Sequence, residues 1–205
     1  MPGIFITFEG TEGCGKSTHI KKLATRLEKE GRTVRTLREP GGTESGEEIR
    51  ELLKHGPENL TPEAELLLMN ASRAQLVREI IRPALAAGEV VLCDRFFDST
   101  TIYQGAGRGL DAGHVRAVID FAVGETRPDL TLLLQIPLEI SEKRRAKRYG
   151  SDRFESADRE FFKRIEAGYT ALAEAEPDRI QVIDANRLPE AVQADILIAV
   201  SAALK

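Results

Sequence analysis

Only two cysteines, Cys14 and Cys93, occur among 205 residues. That is too few for a disulfide framework or a four-thiolate zinc site, and a reduced, cytoplasmic compartment is expected. His19, His55 and His114 are scattered without ligand spacing, so no transition-metal site is expected either. Long apolar runs are missing: the stretch around LTLLLQIPL is far short of the roughly 20 residues needed to span a bilayer. Basic excess is missing too. A net charge of −4 argues against a general binder of nucleic acid or of anionic membrane. The segment MPGIFITFEG has no positive leader and reaches Glu9 early, so no signal peptide is expected. No internal repeat, low-complexity tract or shift of composition marks a second domain. One domain over residues 1–205 is expected.

What is present is an alternation. Five short runs rich in β-branched or apolar residues recur: IFITFEG, TVRTLRE, VVLCDR, DLTLLLQI and RIQVIDA. Helical spacing fills the gaps, as in 16–30 (Ile20, Leu23, Ala24, Leu27) and 62–87 (Leu66, Met69, Leu76, Ile80). Strands alternating with helices imply a parallel sheet covered on both faces, and continuous apolar strands agree with burial on both sides. Gly31 and Gly88 are expected helix ends, and Pro83 is expected to kink or break the second helical segment near its end.

Between the first run and the first helix lies Gly10-Thr11-Glu12-Gly13-Cys14-Gly15-Lys16-Ser17, followed by Thr18. This fits the phosphate-loop pattern G-x-x-x-x-G-K-[ST] in its proper strand-to-helix setting. Glycines let backbone N–H groups turn around phosphate oxygens, and the helix N-terminus adds a favourable dipole. Lys16 is expected to reach the terminal phosphates and the Ser17 hydroxyl to bind Mg²⁺. The motif alone fits small-molecule kinases, GTPases, motors and transport ATPases. Neither an N-K-x-D nor a D-x-x-G motif marks a GTPase, and the chain is short for most motors. A kinase of a small acceptor is the simplest remaining class.

Three further segments sharpen that class: REPGGT at 38–43, SRAQLV at 72–77 and DRFFDSTTIYQGAGRG at 94–109. In open α/β sheets ligands bind at the carboxyl ends of the strands, so the phosphate loop, Arg38-Glu39-Pro40 and Asp94-Arg95 are expected to share one crevice. With EGTEGCGKST, REPGGT, DRFFDSTTIYQG, RPDLTLLL and DRFE in this order, the sequence resembles the thymidylate kinase family over almost its whole length. The resemblance implies a three-layer P-loop nucleoside-monophosphate kinase fold with a five-stranded parallel sheet. It implies transfer of the γ-phosphoryl of Mg-ATP to dTMP, by a protein that is usually a homodimer. Alternatives are a kinase of another nucleoside monophosphate or nucleoside, or a non-catalytic nucleotide-binding regulator.

Carried over by position, the resemblance implies that Arg38 and Arg95, beside Pro40, hold the acceptor phosphate, which suits the forked guanidinium. Arg73 is implied to hydrogen-bond the thymine edge, with Ser99, Thr100 and Gln104 assisting. Tyr103 is implied to pack by the sugar, and Asp94 to sit near the Mg²⁺ shell. Met69 stands where the family usually places a stacking Phe, and Gln135 where it commonly has Asp. Glu12, unexpected in a phosphate loop, is implied to accept from the 3′-hydroxyl of the acceptor; pairing with a nearby arginine is the competing reading.

Residues 143–153 carry Lys143, Arg144, Arg145, Lys147, Arg148 and Arg153. With Tyr149 the single aromatic there, a stacking platform for single strands is not expected. A surface lid at about 144–155 is expected to close over ATP, with Arg144 against adenine. Arg148 and Arg153 join Lys16 and Arg95 as the expected catalytic set. An uncharged-to-acidic Thr11-Glu12 in the loop, paired with arginines in the lid, resembles the branch of the family common in bacteria.

Overall fold

The computed structural model describes residues 3–57, 59–146 and 158–204. All five expected strands are present: β1 (Ile4–Glu9), β2 (Val34–Arg38), β3 (Val90–Asp94), β4 (Leu130–Gln135) and β5 (Ile180–Asp184). They pair in parallel in the order β2-β3-β1-β4-β5. Phe8 of β1 and Arg38 of β2 are both in register with Asp94 of β3. Three strands therefore end at one level, which sets the floor of a crevice.

Side-chain alternation explains the continuous apolar strands. Ile6, Phe8, Val90, Leu92, Leu132 and Leu134 pack into one core. That core includes Leu23 and Leu27 of α1 (Lys16–Lys29). Phe5, Val91 and Cys93 point to the other face and meet Leu66 and Leu76 of α3 (Pro62–Leu76). α2 (Glu44–His55) lies between β2 and α3 in the chain, its first turn capped by Thr43 Oγ1, which accepts from the Gly46 N–H at 3.1 Å. Gly31 (φ 83°) and Gly88 (φ 80°) follow helix ends in the left-handed region, as expected.

The break expected near Pro83 is a change of helix type. α3 runs into a π-helical turn, Val77–Ile81, and resumes as α4 (Arg82–Ala86), with Pro83 in its first turn. Proline lacks an N–H and crowds the carbonyl four residues back, and the wider turn directly precedes it. β3 is followed by the short α5 (Phe97–Thr100) and a second π-helical stretch, Thr101–Gly107. Then come α6 (Ala112–Val123), α7 (Leu138–Arg145), α8 (Arg159–Ala175) and α9 (Pro189–Ala203). The loop expected from residue 144 begins later, because Arg144 and Arg145 complete the last turn of α7. Arg148 and Arg153, and with them most of the expected lid, lie outside the described residues. Among the described residues, no helix is long and apolar enough to cross a membrane.

Candidate active site

The loop between β1 and α1 is built by glycines in conformations that other residues resist. Gly10, Gly13 and Gly15 have φ of 127°, 79° and 99°. A Cβ on Gly10 would lie 2.3 Å from the Leu134 carbonyl oxygen, so the loop seats directly on β4. Lys16 opens α1 and folds back on this loop. Its Nζ donates to the carbonyls of Gly10 (3.0 Å) and Thr11 (3.2 Å) and to Cys14 Sγ (3.6 Å). Ser141 Oγ donates to the Glu12 carbonyl at 2.8 Å, and Arg144 Nη1 to the Gly13 carbonyl at 2.7 Å. Arg144 thus braces the phosphate loop from α7. Ser17 Oγ donates to Asp94 Oδ2 at 2.7 Å, joining the expected metal pair across α1 and β3.

A cleft of about 320 Å³ opens over the strand ends. Glu12, Gly13, Gly15, Lys16, Ser17 and Thr18 line one side, and every residue expected on the acceptor side lines the other. Gly10, Thr11 and Cys14, in the same loop, do not line the cleft. Arg95 is central. It holds a left-handed backbone (φ 72°), rare for a residue with a side chain, while its N–H donates to the Phe8 carbonyl at 2.9 Å. Its guanidinium donates to Glu12 Oε1 (2.7 Å), Ser99 Oγ (2.9 Å) and Tyr103 Oη (3.3 Å), and lies 5.0 Å from the Tyr103 ring centre. Arg38, by contrast, is half-exposed and pairs with Glu47 at 2.8 Å.

Glu12 is paired as the competing expectation had it, with Arg95, while the Tyr103 hydroxyl lies 3.1 Å from both its oxygens. Burial alone would raise this carboxyl, but Arg95 and Lys16 with the hydrogen bonds outweigh it and hold it below the ordinary range. Burial pushes the Tyr103 hydroxyl well up, keeping it a neutral donor.

Arg73 lines the cleft but is only 2% exposed. Its Nε and Nη2 bind Glu39 Oε2 (2.7 Å each), Nη1 donates to Asn70 Oδ1 and Thr100 Oγ1 (2.9 Å each), and Nη2 to the Phe96 carbonyl (3.1 Å). Its donors are committed to protein, so contact with a base edge requires one of these bonds to be shared.

Sequence reasoning missed what lies underneath. Arg50 and Lys54 also line the cleft, as does Glu39, which was expected in the crevice but given no role. Glu9, fully buried, accepts from the Phe96 N–H (2.8 Å), Ser99 Oγ (2.6 Å) and Tyr169 Oη (2.8 Å), and so fixes the segment that carries Arg95. Asp98 and Arg179 form a forked pair at 2.7 and 2.8 Å behind it. A carboxylate inside the apolar run IFITFEG was the available signal for Glu9.

A parallel sheet in this order, with a phosphate loop after β1 and an arginine-lined acceptor cleft beside it, defines a P-loop nucleoside-monophosphate kinase. Comparison with known proteins narrows the class. Residues 8–196 match the family model described as thymidylate kinase. The chain is 50% identical to a thymidylate kinase of Alcanivorax borkumensis, over 94% of this chain and 93% of that one. It is 46% identical to one from Deinococcus radiodurans, over 97% of each. The crystal structure of a thymidylate kinase from Ehrlichia chaffeensis superposes with a TM-score of 0.82 at 30% identity, over 98% of this chain and all of that one. The chain belongs to the thymidylate kinase family, and it is a phosphotransferase that phosphorylates dTMP with ATP.

Proposed function

We propose that the cleft holds the two substrates end to end, ATP on the phosphate loop and dTMP beyond it, with these residues in these roles. The observation that carries the reading is the convergence of Lys16, Arg38 and Arg95 on one crevice at the ends of three strands. Backbone amides of Gly10–Thr18 cradle the donor phosphates, and Lys16 leaves its loop carbonyls to meet them. Arg38 and Arg95 hold the acceptor phosphate, each exchanging a single N–H contact with a carboxylate oxygen, of Glu47 or Glu12, for phosphate oxygens that a guanidinium can grip in forked fashion. Tyr103 packs by the sugar, Met69 lies against the base, and Arg73, Ser99, Thr100 and Gln104 surround its polar edge.

The acceptor oxygen is already ionised, so no general base is needed and the work is positioning and charge neutralisation. Ser17 and Asp94 offer adjacent hard oxygens, which suits Mg²⁺, an ion that takes few protein ligands and keeps waters and phosphates. When bound, Mg²⁺ neutralises charge on the phosphates of the donor. Lys16 and Arg95 supply fixed positive charge on the two sides. Arg148 and Arg153, on a lid at about 144–155 of a single-domain chain, add positive charge as the phosphoryl group moves. Arg144, whose Nη1 donates to the Gly13 carbonyl of the phosphate loop, lies against the adenine of ATP.

A homodimer fits the exposed apolar side chains, and the small cysteine count fits the cytoplasm. Leu67 on α3 and Phe121 on α6 are 58% and 85% exposed and stand on two helices that pack against each other, which supports a second copy covering them. The deciding experiment is a coupled assay of ADP release over dTMP, dUMP, dCMP, AMP and GMP. Turnover with dTMP well above the rest supports the reading. No preference for dTMP defeats it.

A further inference from the structure

Two side chains that were not expected from sequence and do not line the cleft, Glu65 and Arg108, hold one that was expected and does line it, Gln104. Glu65 of α3 is 1% exposed, and Gln104, in the π-helical stretch Thr101–Gly107, is also 1% exposed. Gln104 Nε2 donates to Glu65 Oε1 at 2.7 Å. Arg108 grips the same carboxylate from the other side, Nε to Oε1 at 3.3 Å and Nη2 to Oε2 at 3.2 Å. Arg108 is itself seated 4.9 Å from the Phe161 ring centre.

This arrangement removes an ambiguity that amides usually carry. An amide can turn over and exchange its donor for its acceptor. A carboxylate offers lone pairs alone, so only the Gln104 nitrogen can face Glu65. The Gln104 oxygen is left for the cleft, which Gln104 lines. It accepts no hydrogen bond from the described residues, and it is not among the sealed polar atoms that lack a partner.

We propose that Glu65, held by Arg108, is a positioning residue for base selection: it locks Gln104 with its acceptor oxygen toward the base. A base whose ring nitrogen carries N–H, as thymine and uracil do, is accepted there. Cytosine presents a bare ring nitrogen at that position, and two facing acceptors repel with neither satisfied. The lock therefore separates imide pyrimidines from cytosine and is blind to the 5-methyl group. The proposal rests on the reading of the cleft as the dTMP site.

The test is Glu65→Gln, which keeps shape but can itself donate, so both orientations of Gln104 become available. kcat/KM is measured for dTMP, dUMP and dCMP in wild type and variant, with thermal melting alongside. The expected result is a fall in the dTMP-to-dCMP ratio of roughly tenfold, the size of one lost buried hydrogen bond, with the dTMP-to-dUMP ratio unchanged. A general structural defect would lower all three substrates together. If wild type prefers dTMP and the variant keeps the same dTMP-to-dCMP ratio, the lock is wrong while the site reading stands. If wild type shows no preference for dTMP, the site reading itself fails. Should Glu65→Gln not fold, Gln104→Met keeps the Glu65–Arg108 pair and deletes the oriented acceptor, and an unchanged ratio there overturns the proposal.

Discussion

Glu12 and Arg95 meet at 2.7 Å in the cleft, the phosphate loop's one carboxylate on a guanidinium from the segment that follows β3. The contact ties the phosphate loop to the segment after β3, which the proposed reading assigns to the donor and the acceptor. On the proposed reading, an incoming phosphate competes with Glu12 for Arg95, and a displaced Glu12 is then free to accept from a sugar hydroxyl.

That exchange has a measurable consequence. Glu12→Gln should narrow the discrimination between dTMP and its 3′-deoxy analogue by roughly tenfold, since a charge-assisted hydrogen bond is replaced by a neutral one. Steady-state kinetics with both substrates on both enzymes decides it. If the two enzymes discriminate alike, the carboxylate serves Arg95 and does not read the sugar.

Met69→Phe should tighten dTMP binding by roughly three- to tenfold. Met69 lines the cleft from α3, and a thioether on a flexible stem makes a less defined contact with a π-face than an aromatic ring does. Calorimetric titration of dTMP checks this. An unchanged or weaker affinity counts against a base-facing role for residue 69.

Arg153→Ala should lower kcat by on the order of 10³-fold while leaving ATP binding little changed, because charge develops on the moving phosphoryl group rather than in the ground state. Paired measurements of kcat and of ATP affinity test it. Small, equal effects on both would remove Arg153 from the catalytic set.

The strands and the phosphate loop were legible because their causes are local. Both-face burial writes continuous apolar runs, and a cradle of amides needs glycine at fixed spacing. The places of Arg38 and Arg95 in the crevice were legible from their positions at strand ends, but the roles given to them came only through the resemblance, since an isolated arginine carries no mark of what it holds. The π-helical stretches were not read, because apolar spacing over five or seven residues does not separate a wide turn from an ordinary one. Buried polar partners were missed for a different reason. Tyr169 and Glu9 are 160 residues apart in the chain, and Arg179 and Asp98 are 81 apart. Such pairs exist only once the sheet has brought them together.

The Glu39–Arg73 pair makes stability depend on pH in an unusual direction. Glu39 is 5% exposed, and its Oε1 lacks a hydrogen-bond partner among the described residues. Burial raises this carboxyl from an ordinary 4.5 to about 7, against the opposing pull of Arg73. Between those values the folded chain binds a proton that the unfolded chain does not. The stability from that proton is full below about 4.5 and is lost as pH rises through about 7. One such proton gives a slope of at most about 1.4 kcal/mol per pH unit, falling toward neutrality. Glu39→Gln keeps an acceptor for Arg73 and removes the titration. Urea unfolding from pH 5 to pH 8 should therefore show wild type losing stability relative to Glu39→Gln across the lower part of that range, then running parallel above about pH 7.5. Parallel curves throughout would mean that Arg73 holds Glu39 ionised in the folded chain and that its burial is fully compensated.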